Sequence, residues 1–118
     1  MNSLILGINP SSVKNVRKNS SYDRLQKWIK YLDIDYTFYN VIKTPGRYHA
    51  NMINYDRLIK ITDNHSKIIA LGGFVSNSLN RIHKQHFILS HPLPLNRLLN
   101  NHSFEYQKLQ QCRRYLSL

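Results

Sequence analysis

Two unbroken apolar runs, Leu4-Ile5-Leu6 and Ile68-Ile69-Ala70-Leu71, constrain the fold more than any other feature, because each runs directly into glycine, at Gly7 and at Gly72-Gly73. A strand that is apolar on both faces has to be covered on both faces, which is the habit of parallel sheets flanked by helices. The first run, Ser3 to Ile8, leaves its strand at Asn9-Pro10-Ser11-Ser12, where proline and small polar residues mark the exit, and Gly72-Gly73 marks a tight turn after the second. The intervening segments supply the helices. From Ser20 onward, Leu25, Trp28, Ile29 and Leu32 recur at the i, i+3, i+4, i+7 spacing of one buried helical face, with Arg24, Lys27 and Lys30 at other positions. This predicts a first helix capped near Ser20 or Ser21.

Tyr36 to Ile42 is rich in β-branched and aromatic residues and is cut off by Thr44-Pro45-Gly46, giving a second strand and a loop. Further helices are expected over Met52 to Ile61, over a short stretch carrying Phe74, Val75, Leu79 and Ile82, and over Ser103 to Leu116. Gln85 to Leu89 reads as a fourth strand, which Ser90-His91-Pro92-Leu93-Pro94-Leu95 cannot continue because two prolines remove backbone donors. The alternation predicts an α/β protein: a three-layer α/β/α sandwich with a short, mainly parallel four-stranded sheet. A chain of 118 residues closes around a single core, so one domain spanning 1–118 is expected.

Charge narrows the partners. The formal net charge is +11, from 17 Lys and Arg against 6 Asp and Glu, and such a field favours encounter with a polyanion, of which nucleic acid is the commonest. Glu105 is the only glutamate, which leaves no material for glutamate-pair glycosidase chemistry. With Cys112 as the sole cysteine there is no intramolecular disulfide and no multi-cysteine metal site, and no metal is implied. No run approaches the length of a membrane span, and Met1 to Pro10 lacks the pattern of a secretory signal. A cytoplasmic monomer without membrane association is the expectation.

In an open parallel sheet, loops at the carboxyl ends of the strands gather at one edge and form the ligand site. Three loops qualify: Asn9 to Ser12, Asn40 to Arg47 and His91 to Arg97. None has the glycine pattern of a Walker loop or a dinucleotide fingerprint, so neither ATP nor NAD is expected and no cofactor is implied.

Taken in order, these loops resemble the motifs of the uracil-DNA glycosylase superfamily. Leu6-Gly7-Ile8-Asn9-Pro10-Ser11 is similar to the first motif, written GINPG in the mismatch-specific branch and GQDPY in the uracil branch. Tyr39-Asn40-Val41-Ile42-Lys43 is similar to the TNVVK segment of the thermophile-type branch, and Ile69-Ala70-Leu71-Gly72 to the strand and turn that follow it. His91-Pro92-Leu93-Pro94-Leu95-Asn96 is similar to the second motif, HPSPLS. The resemblance covers most of the chain and implies a minimal, cofactor-free member acting on uracil in single- or double-stranded DNA.

The residue chemistry is compatible with that implication. Cleaving an N-glycosidic bond requires a base removed from the stack, a water directed at the sugar C1′, and stabilisation of charge on the departing base. Asn9 can hold the water through its side-chain carbonyl but cannot ionise, and Asn9→Asp is expected to supply a stronger acceptor for it. The plainer reading of Asn9 is an Asn-Pro turn. His91 can donate to the pyrimidine O2 as charge develops there, or it is simply a loop histidine bonded to backbone. Asn40 can accept from uracil N3-H and donate to O4, a pairing that cytosine leaves mismatched; otherwise it is a strand-end Asn bonding locally.

The family places an apolar wedge where Leu95 stands, against which the alternative is a core leucine. Ser11 occupies the position of an aromatic residue in the uracil branch, leaving Tyr48 or Tyr22 to close the methyl side of the base. Leu93 and Asn96 replace two serines of the phosphate-pinching pattern, so phosphate contacts fall to Asn96, Arg97, Lys14, Arg17 and Lys18, unless these basic residues form only a solvated face. Two other functions stay open from sequence: a non-catalytic DNA-binding sensor or regulator, and a glycosylase for another modified pyrimidine.

Overall fold

The computed structural model describes residues 2–10, 20–90 and 102–117. Strands β1 (Ser3–Gly7), β2 (Tyr36–Asn40), β3 (Ile68–Leu71) and β4 (Phe87–Leu89) alternate with helices α1 (Ser20–Leu32), α2 (Tyr55–Asp63), α3 (Gly73–Arg81) and α4 (His102–Leu116). The sheet order is β2-β1-β3-β4, and every neighbouring pair is parallel. Among the described residues no helix is long and apolar enough to cross a membrane.

The three layers follow from strand alternation, which sends successive side chains to opposite faces. Leu4, Leu6, Ile68 and Ala70 pack with Leu58 of α2 and with Val75 and Leu79 of α3. Ile5, Ile69, Leu71 and Leu89 pack on the other face with Trp28 and Leu32 of α1 and with Leu109 and Cys112 of α4. The buried indole of Trp28 meets its polar requirement by donating from Nε1 to Glu105 Oε1 at 2.6 Å, which ties α1 to α4.

Two boundaries differ from the sequence reading. The helix expected over Met52–Ile61 is instead a single 3-10 turn at Ala50–Met52 followed by α2, because Asn54 breaks the run by capping: its side chain accepts from Arg57 N. Among the described residues α1 begins at Ser20, where the sequence places its start. Strand β4 starts at Phe87 because His86 is engaged elsewhere. Its Nδ1 lies 2.8 Å from the carbonyl of Lys84, an acceptor only, so in the neutral ring Nε2 is bare and accepts from Ser76 Oγ at 2.7 Å. Ser76 is buried within α3, so the pair fastens α3 to the start of β4 and offers no exposed nucleophile.

Cys112 is fully buried and desolvation pushes its thiol up to about 12. A thiol reagent at about pH 8 is therefore expected to label the protein only at the rate of unfolding, since both access and thiolate are lacking in the native state. Fast labelling without denaturant would show that α4 does not pack as described.

Candidate functional site

With the order β2-β1-β3-β4, the chain leaves β1 toward β2 on one side and β3 toward β4 on the other, so the crevice at a topological switch point opens between the carboxyl ends of β1 and β3. Asn9 follows β1 at this point and Gly72 follows β3. Gly72 has φ +92°, in the region that favours glycine, and its N-H donates to Leu89 O at 2.7 Å, so the turn into α3 also closes the end of β4.

The β1–β2 ladder continues past the strand ends. Val41 N donates to Gly7 O at 3.0 Å and Ile42 N to Ile8 O at 2.9 Å, with Val41 and Ile42 both buried. The loop that follows is held by Asn9. Its Nδ2 donates to Thr44 O at 3.0 Å and to Gly46 O at 2.8 Å. Two carbonyl acceptors fix the orientation of the amide, since only the NH2 group can satisfy both, so Oδ1 is its acceptor atom.

Asn40 ends β2 directly opposite Gly7 in the parallel register. A methyl group on Gly7 would lie 2.8 Å from Asn40 Oδ1 and 2.9 Å from Phe38 Cζ, so the amide and the ring tip converge on the space above Gly7. They do so on the α1/α4 face, because Gly7 shares the parity of Ile5. Phe38 is 39% exposed and so presents an accessible ring beside this amide. Beneath, Arg57 of α2 donates from Nη1 to Asn40 O at 3.2 Å, which fastens the strand end from the opposite layer.

Tyr48 is tied elsewhere. Its ring meets Phe74 edge-on, with centroids 4.8 Å apart and planes at 70°, and Phe74 packs against the α2/α3 core. Asn9, Asn40 and Tyr48 thus share the carboxyl edge of the sheet, but the aromatic side chain next to Asn40 is Phe38. Sequence reasoning passed over Phe38 although the signal was present, since it stands two residues before Asn40 and alternation places both on one face. Nothing in the sequence pointed to Arg57, whose role arises only where α2 crosses the end of β2. The other site expectations, Ser11, Lys14, Arg17, Lys18, His91, Leu95, Asn96 and Arg97, lie outside the described residues, as does the side chain of Tyr22.

Compared with known proteins, the chain matches no protein-family model, no curated protein and no solved structure.

Proposed function

We propose that this chain is a monofunctional DNA glycosylase with a uracil-DNA glycosylase-like fold, hydrolysing the bond between uracil and deoxyribose in flipped-out nucleotides and leaving an abasic site. The observation that carries the reading is the paired arrangement at the sheet edge: Asn9, with its amide hydrogens given to two loop carbonyls and Oδ1 as its acceptor atom, and Asn40, with its Oδ1 over Gly7. In this reading Asn9 Oδ1 accepts a hydrogen bond from water and directs its oxygen at C1′. Asn40 pairs with N3-H and O4 of uracil, and His91 donates to O2 as the glycosidic electrons move onto the base. Leu95 fills the gap in the duplex, and Lys14, Arg17, Asn96 and Arg97 hold phosphates. The protein acts as a cytoplasmic monomer.

A second reading draws on the same hydrogen bonds. Because the Asn9 amide is committed to holding the loop, the edge also suits a DNA-binding sensor that captures a flipped base without cleaving it.

The test is incubation of the purified protein with labelled single-stranded and duplex oligonucleotides containing one uracil, followed by alkali to cut abasic sites. Strand cleavage is expected from the parent, and His91→Ala is expected to slow single-turnover release roughly a hundredfold, the scale of losing one donor to a developing negative charge. Binding without base release would leave the sensor reading in place, and neither binding nor release would overturn both.

A further inference from the structure

We propose that a groove between α1 and α4, which runs toward the amino ends of the strands and so away from the Asn9 loop, is a second nucleic-acid contact that binds a single strand independently of any uracil. Its position follows from topology. Tyr31 lies in the last turn of α1, just before the chain re-enters the sheet at β2, and near the end of α4 the Tyr115 hydroxyl accepts from Ile68 N, the first residue of β3. The groove is lined by Tyr31 of α1 and by Tyr106, Gln110, Arg113, Arg114 and Ser117 of α4 and its end.

Its chemistry selects the occupant. Among the described residues the lining holds two guanidinium groups, an amide, two phenols and a hydroxyl, and no carboxylate. The neighbouring carboxylate of Glu105 is turned toward the indole of Trp28. Hydrogen bonding to Tyr106 raises the Tyr31 phenol above its ordinary value, so it stays neutral and adds no negative charge. Lys27, exposed one turn before Tyr31, extends the positive stripe along α1.

The aromatic geometry separates a nucleic acid from an acidic peptide. Tyr31 and Tyr106 meet edge to face, with centroids 5.7 Å apart and planes at 69°, and Arg113 lies over the Tyr31 ring at 5.2 Å. Tyr106 remains 51% exposed and offers a face on which a base can stack, while the Arg113 and Arg114 guanidinium groups lie within the same groove to meet phosphates. The space is about 490 Å³ and open to solvent, which suits an extended strand lying across it rather than an enclosed small molecule. A net charge of +11 supplies the long-range attraction for such a strand.

This inference does not rest on the glycosylase reading, and its test uses DNA free of uracil. Fluorescence anisotropy would follow binding of a labelled oligothymidylate of about 15 nucleotides. Tyr106→Ala is expected to weaken binding roughly five- to hundredfold, as for loss of one stacking platform. Arg113→Gln with Arg114→Gln is expected to lower the slope of log affinity against log salt by about 1.4, the single-strand value for two phosphates, while Arg113→Lys with Arg114→Lys keeps the slope. Photocrosslinking of the parent to a 4-thiothymidine oligonucleotide needs no variant and is expected to mark Tyr31 or Tyr106. Crosslinks confined to other residues, a slope unchanged in the glutamine pair, or equal competition by polyglutamate of the same charge would each overturn the proposal. Failure of uracil release would leave these results untouched.

Discussion

Asn9→Asp is expected to disable the sheet edge, not to improve it. As a water-holding group taken alone, a carboxylate is the stronger acceptor, and the sequence motif invites that exchange. The structure reverses the expectation, because the Asn9 amide nitrogen is the donor to Thr44 O at 3.0 Å and Gly46 O at 2.8 Å. An aspartate would set an oxygen against two oxygens. Both hydrogen bonds are lost and a repulsive contact replaces them; because Asn9 is only half-buried, water softens the repulsion and the cost stays at about 2–3 kcal/mol. The pH dependence has a definite sign. Two acceptors disfavour the charged form, so the folded-state pKa of the new carboxyl is raised above its unfolded value of about 3.9. The penalty is then smallest below about pH 4 and grows as pH rises through the raised folded value. Melting temperatures of variant and parent, taken from about pH 4 to pH 8, are expected to diverge toward the upper end, with uracil release at neutral pH falling on the order of a hundredfold. A variant as stable as the parent at neutral pH, or faster in base release, would show that Asn9 does not hold the loop by these bonds.

The difference between the two expectations for Asn9 marks the boundary of what sequence can convey. Apolar runs such as Leu4 to Leu6 and Ile68 to Leu71 are legible because burial on both faces leaves one architecture open to them, and the helical spacing of Leu25, Trp28, Ile29 and Leu32 is legible for the same reason. The second helix starts three residues later than its hydrophobic period suggests, because Asn54 acts as a cap through a single side-chain bond that such a period does not register. Asn9 and Asn40 were legible as candidates by their positions after strands. Which atoms of Asn9 are consumed by the loop depends on where residues 44 and 46 fold back, some 35 residues along the chain, and no local pattern encodes that. Phe38 stands between these cases: alternation places it beside Asn40, yet only the register of β2 on β1 shows that both crowd the same glycine.

That crowding makes Gly7 the position where the smallest change is expected to have a large effect on the site. Its glycine is required by close approach, since an added methyl would lie 2.8 Å from Asn40 Oδ1 and 2.9 Å from Phe38 Cζ. Gly7→Ala therefore forces one or both to move. Because the atoms met are the tips of side chains and not backbone, the fold can absorb the change at about 1–3 kcal/mol, an ordinary overpacking cost. If Asn40 reads the base as proposed, its amide cannot absorb the change so cheaply, because a displacement near 1 Å in a group that orients substrate costs about a hundredfold in rate. Gly7→Ala is thus expected to keep most of its stability while losing a hundredfold or more in uracil release, together with discrimination between uracil and cytosine. Asn40→Ala made in the Gly7→Ala background separates the two effects: removing the amide relieves the clash and is expected to recover part of the melting temperature, but activity and discrimination stay lost. If Gly7→Ala releases uracil at the parental rate, the space above Gly7 is not where the base is read, and Asn40 reverts to a strand-end residue whose carbonyl anchors Arg57.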